Sequence, residues 1–194
     1  FDEEWIDFYP REGKVGGAFC CEVSHAGQSR ILTNFNGSFD AVDTLAHELG
    51  HAYHGTQTCS HRILNRDYPM QVAETASTFN ETHITCLAIA KATGEEKLAL
   101  LDNILMNTTQ VICDIYSRFL FEDSVFNACE DRFLMPEDLK AMMLDAQKKA
   151  YGDGLDPEYM HPYMWACKGH YYSEALSYYN FLYAFGAMLA MGLY

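Results

Sequence analysis

The sequence predicts a mainly α-helical domain carrying a small β-hairpin or sheet. Three observations predict it. Apolar residues recur at three-and-four spacing through most of the chain after residue 38. Two short runs rich in aromatic, β-branched and small residues occur only ahead of that point. The helical stretches are punctuated by Pro69, Gly94, Pro136 and Gly152. With 194 residues, 49% hydrophobic and 14% aromatic, the chain has apolar material for one compact domain. No low-complexity linker, charge block or internal repeat divides residues 1–194.

In chain order, "GGAFCCEV" (16–23) and "SRILTNF" (29–35) flank the polar turn "SHAGQ" and read as a hairpin. Gly16 and Gly17 would let backbone approach closely there, or simply make a turn before the strand. Ser38 can cap a helix whose Val42, Leu45, Ala46 and Leu49 form a buried stripe, with Gly55 closing it. Pro69 precedes a second helix over about 70–93, stopped by Gly94. A third runs from about 95 into the 120s, and a fourth from Pro136 to near Gly152. Residues 152–170 show no period and read as a loop, and a last helix begins at Ser173 and runs off the end.

Composition excludes some functions. A formal charge of −14 with only 13 Lys and Arg offers no basic face for phosphates, so no nucleic acid is expected. The longest apolar run, 181–194, is too short to span a membrane and lies at the wrong end for a secretory signal. Seven cysteines, an odd number without C-x-x-C spacing, read as reduced buried thiols in a cytoplasmic protein. The start at Phe1, without Met, and the helical pattern persisting to the end predict a piece of a longer protein.

"HELGHAYHG" (47–55) lies on the first helix. His47 and His51 are four residues apart, so their side chains leave one face a turn apart and can meet a single Zn²⁺. Glu48 leaves about 100° round from His47, where a general base for the attacking water belongs. H-E-x-x-H supplies only two ligands. An H-E-x-x-H-x-x-G-x-x-H site would need Gly at 54 and His at 57, where the chain has His54 and Gln57.

Glu74 on the second helix, in a neighbour that has turned back from His51, is the preferred third ligand and leaves an open position. Glu81, seven residues on and nearly on the same face, competes for that role. The reading that gives Glu74 the metal makes Glu81 the orienter of a histidine ring. His54 suits a supporting or packing role.

With those residues in view, four separated stretches carry a resemblance: "WIDFYPREGKVGGAF", "TLAHELGHAYH", "VAETASTFNE" and "GHYYSEALSYYNFLYAFG". In this order they resemble the oligoendopeptidase F branch of the thimet oligopeptidase family of zinc metallopeptidases. The resemblance implies a zincin-like α+β catalytic lobe cut from a longer enzyme. It implies one Zn²⁺ per chain on His47, His51 and Glu74, with Glu48 as base, in a cytoplasmic endopeptidase that acts on short peptides. It also implies that a C-terminal His and tyrosines steady the oxyanion and hold the peptide. His170 matches the His, and the tyrosines lie among Tyr171, Tyr172, Tyr178 and Tyr179, with Tyr172 and Tyr179 chosen. One tyrosine of the thimet oligopeptidase pattern falls on Phe181.

Two other readings stay open. A metallocarboxypeptidase of related H-E-x-x-H type would place Arg62, Arg66 or Lys168 for a terminal carboxylate, and a zinc-holding chain without activity would keep the metal alone.

Overall fold

The computed structural model describes residues 3–194. As expected, the fold is mainly α-helical with one small sheet. The chain, read from its sequence as one domain, divides into two compact units: Phe1–Leu101 with Phe185–Tyr194, and Asp102–Ala184.

In the first unit β1 (Ile6–Asp7), β2 (Phe19–Val23) and β3 (Gln28–Leu32) form a sheet of order β1-β3-β2. The expected hairpin is β2–β3, antiparallel from Val23↔Gln28 to Phe19↔Leu32. Both strands stop short of their predicted outer ends. Gly17 has φ 81°, and the Asn34 amide donates to the Val15 and Gly17 carbonyls at 3.0 and 2.9 Å, so a side chain takes the place of the ladder there. The parallel strand β1 has too few residues to show a period. It is held by the nearly buried Lys14, whose ammonium donates to the carbonyls of Asp7, Tyr9 and Thr33 at 3.0, 2.9 and 2.6 Å.

Helix α1 (Phe39–Thr58) starts where predicted, with Ser38 Oγ accepting from the Ala41 N–H at 3.1 Å. It does not end at Gly55. That glycine stays helical, and the Glu22 side chain of β2 lies so close that a Cβ there would be 2.7 Å from Glu22 Oε1. Helix α2 (Met70–Lys91) ends before the predicted stop: Ala92 is already extended. Gly94, at φ 58°, opens α3 (Gly94–Thr109).

Helices α1 and α2 pack in close antiparallel contact, since partners rise along one helix as they fall along the other. Asp43 Oδ1 accepts from Thr85 Oγ1 at 3.3 Å, and the Ala46 carbonyl accepts from Asn80 Nδ2 at 2.9 Å. At Gly50 a Cβ would lie 2.7 Å from both the Ala76 carbonyl oxygen and Ser77 Cα. The last helix passes α2 in the same way: a Cβ on Gly186 would lie 3.1 Å from the Glu74 backbone.

In the second unit a π-helical turn, Gln110–Asp114, joins α3 to α4 (Ile115–Cys129), so the predicted third helix is continuous but locally widened there. Helix α5 (Pro136–Tyr151) matches its prediction. Asp138 accepts from the Met135 N–H at 2.9 Å, and Gly152 leaves at φ 59°. Phe121, Met143 and Ala146 centre the core. The predicted loop 152–170 contains short 3₁₀ turns and is tied to α5 by Gln147, whose amide exchanges hydrogen bonds with His161 backbone at 2.9 and 3.0 Å.

The last helix, α6 (Phe181–Leu193), begins eight residues later than Ser173. The reason is tertiary. Tyr178 is held at φ 55°, its N–H donating to Oε1 of the buried Glu122 at 2.8 Å, and that conformation interrupts any helix begun upstream. Among the described residues no helix is long and apolar enough to cross a membrane.

Candidate active site

The close approach at Gly50 sets the α1–α2 register, and the register brings side chains together. His47 Nε2 lies 3.2 Å from His51 Nε2 and 3.4 Å from Glu74 Oε2, and His51 Nε2 lies 3.9 Å from the same oxygen. One ligand atom from each residue falls within 4.8 Å of the others. A tetrahedral ion with bonds of about 2.0–2.1 Å holds neighbouring ligand atoms about 3.3–3.4 Å apart. The three separations bracket that edge, and two imidazoles with one carboxylate form a zinc-type donor set with a position to spare.

The surrounding contacts orient these atoms. His47 Nδ1 lies 2.5 Å from Glu81 Oε1, so Glu81 takes the far ring nitrogen and leaves Nε2 for the cluster. Ser77 Oγ donates to Glu74 at 2.9 Å on the carbonyl and 3.2 Å on Oε2. His54 stands apart, its ring 4.3 Å from that of Tyr68 between centroids, which is packing.

Charge and burial oppose each other here. Burial resists protonation of His47, but Glu81, Glu74 and Glu48 together outweigh it and raise its pKa. His51 is pulled down to about 4 by burial, then by His47 and His54. Burial raises the carboxyl groups of Glu48 and Glu74. Glu48, 6% exposed, makes no hydrogen bond to another described residue. It lines an open cleft of roughly 550 Å³ with His47, Glu81 and the hairpin residues Gly17, Ala18 and Asn34.

Of the other residues singled out, Arg62 and Arg66 lie in the first unit, and His170, Lys168 and the tyrosines in the second. His170 lies in the 3₁₀ turn Gly169–Tyr172, with its Nε2 2.6 Å from Asn180 Nδ2. Its pKa is lowered by burial, then by Arg118 and Lys168. Tyr179 hydrogen-bonds Tyr183 through the two hydroxyls at 2.8 Å. Tyr171 donates to the Arg118 carbonyl at 3.1 Å and Tyr178 to Asp123 at the same distance, while Tyr172 is 65% exposed. Arg66 is engaged by the Ser24, Cys59 and His61 carbonyls at 2.7, 2.6 and 3.0 Å. Sequence reasoning missed Asn180, Arg118 and Asp114, which carry no periodic signal. It also missed Gly50, whose place inside the H-E-x-x-H turn was the available signal of a close approach.

Packed helices beside a short sheet thus bring two imidazoles and a carboxylate to one point, a group that could hold a metal ion. The profile of Peptidase family M3 matches residues 1–194, and the chain belongs to that family. It is 31% identical over 189 residues to the chromosomal oligoendopeptidase F of Lactococcus lactis subsp. cremoris, covering 96% of this chain and 31% of that protein. To the oligopeptidase PepF of Bacillus subtilis it is 29% identical over 195 residues, covering 99% of this chain and 28% of that one. The chain thus spans under a third of the length of these curated relatives.

Among solved structures, a Chlamydophila abortus protein described as a peptidase superposes with a TM-score of 0.74 at 25% identity, over 94% of this chain and 30% of its own. A Bacillus anthracis protein described as an oligoendopeptidase F gives 0.69 at 20% identity, over 98% and 30%, and so shares the fold. The resemblance read from the four motifs holds.

Proposed function

We propose that this chain is the catalytic region of a zinc-dependent endopeptidase that hydrolyses short peptides in the cytoplasm. The observation that carries the proposal is the convergence of His47 Nε2, His51 Nε2 and Glu74 Oε2 within 4.8 Å, at separations suited to a tetrahedral ion. These three residues would hold one Zn²⁺. When bound, the ion polarises the scissile carbonyl and lowers the pKa of water at the open position.

The chain's own groups do the rest. Glu81 accepts the Nδ1–H of His47 and keeps the Nε2 lone pair directed at the cluster. Glu48 is the general base: its raised pKa and lack of a hydrogen-bond partner leave it ready to take the proton of the attacking water and pass it to the leaving amine. β2, at one edge of the sheet, offers main-chain hydrogen bonds to an extended peptide, which suits cleavage without strong sequence selectivity. Nothing lies within 4 Å of a Cβ built on Gly16 or Gly17, so the backbone there is open to a ligand. The donor roles that the resemblance implies for His170, Tyr172 and Tyr179 are part of the proposal. A neutral His170, held below its ordinary pKa, suits donation to a developing negative charge. The seven cysteines are free but half-buried or exposed, against the expectation of buried thiols, and they accord with a reducing compartment.

A fluorogenic peptide blocked at both ends, with and without chelator, tests the proposal. Turnover that chelation abolishes and Zn²⁺ restores is expected. A requirement for a free C-terminus would instead establish a carboxypeptidase, and one bound zinc without chelator-sensitive turnover a metal-holding chain that does not catalyse.

A further inference from the structure

Four polar side chains of the second unit form a line that ends on His170. Arg118 Nη2 donates to Asp114 Oδ2 in a short contact, and Arg118 Nη1 donates to Asn180 Oδ1 at 3.2 Å. Asn180 Nδ2 completes the line at 2.6 Å from His170 Nε2. Asp114 and Asn180 are buried, and Asp114 closes the π turn at the head of α4.

Hydrogen-bond inventory settles the direction of each link. A guanidinium donates and never accepts, so Asn180 can meet Arg118 only through Oδ1. The amide nitrogen must then face His170, and because it only donates, Nε2 of the imidazole must accept. A neutral imidazole that accepts at Nε2 carries its proton on Nδ1.

We propose that Arg118 and Asn180 are positioning residues that set His170 as the neutral Nδ1–H tautomer, so that Nδ1–H is the donor it presents. The rings of Tyr171 and Tyr179, with centroids 4.3 and 6.0 Å from that of His170, flank the imidazole. Burial, with the Arg118 and Lys168 cations, disfavours the imidazolium, in keeping with a neutral ring. The inference rests on the peptidase reading only for what the donor serves.

The test is ¹⁵N NMR of protein labelled in histidine, with the His170 signals identified by their loss in His170→Gln. At neutral pH the unaltered protein should show Nε2 unprotonated and Nδ1 protonated. Asn180→Asp should exchange the two, because a carboxylate only accepts and Nε2 must then donate. A proton on Nε2 in the unaltered protein, which needs no variant to fold, would overturn the inference, as would an Asn180→Asp spectrum unchanged from it. Peptide turnover by Asn180→Asp adds a separate readout: kcat should fall by about 10²-fold at little-changed KM. An exchanged tautomer with unchanged kcat would uphold the tautomer assignment and remove His170 from the catalytic reading.

Discussion

The first unit holds its candidate site residues on regular helices, whereas the second holds them on backbone that departs from helix. In α1 and α2, His47, His51 and Glu74 point where helix geometry sends them, and one glycine contact sets how the two helices meet. Between Gly169 and Asn180 the backbone runs through a 3₁₀ turn and a positive φ at Tyr178, and buried partners on α4 hold it: Glu122 on the Tyr178 N–H, Arg118 on Asn180. The difference teaches that periodicity can announce chemistry only where the element carrying it is regular. Where side chains far apart in sequence hold the backbone, the chemistry is spread over residues that share no pattern.

The largest expected effect tests the helical half. Glu48→Gln should lower peptide turnover by about 10²- to 10⁴-fold while metal analysis finds zinc retained, because the change removes the base and leaves the ligands. Turnover equal to that of the unaltered protein would take the base role away from Glu48.

The long-range half should break at Arg118. Arg118→Met leaves Asp114 buried without its cation, and Asp114 Oδ1 already lacks a hydrogen-bond partner among the described residues. A loss of about 3–5 kcal/mol in urea unfolding is expected. A change below about 1 kcal/mol, the scale of an exposed pair, would mean that the ion pair does not hold the segment.

Gly50→Ala asks whether helix geometry suffices without the close approach. The added methyl meets the Ala76 carbonyl oxygen and Ser77 Cα, which are backbone and yield little. A cost of about 1–3 kcal/mol is expected, together with weaker zinc binding in a chelator competition. Unchanged zinc affinity would show that the cluster tolerates a wider gap between α1 and α2.

The smallest effect comes from the sheet, where charged side chains a few residues away hold the end of β1. The Asp7 carboxyl is held down at about 2 by hydrogen bonds from Arg11, then Lys14. A depressed carboxylate pKa means that the unfolded chain takes up protons first as pH falls. The stability from Asp7 is therefore full above about pH 4 and lost between about 4 and 2. Urea midpoints of the unaltered protein and Asp7→Asn should converge over that window, and parallel curves would show that the contacts do not favour the charged form.

Much of this was legible in advance. Ser38, Pro69, Pro136 and Gly152 mark helix boundaries by local chemistry, and each acts at or beside the boundary it predicted. Gly94 misled because its positive φ opens the next helix and does not stop the last, and Gly55 because a glycine can serve either a stop or a close approach, which only the neighbour tells apart. Glu22 is that neighbour for Gly55. The start of α6 was misplaced because the apolar pattern after Ser173 suits a helix, while the Glu122 contact that overrides it comes from a residue 56 positions away.

The sequence by itself determined the helices, the hairpin and the pairing of His47 with His51, because these depend on spacings of a few residues along one element. Only the tertiary structure sets Glu74 and Glu81 at different places around the two rings. Seven residues apart on one helix, they present nearly the same face, and the fit of Gly50 against Ser77 brings Glu74 to both Nε2 atoms and Glu81 to the far side of the His47 ring.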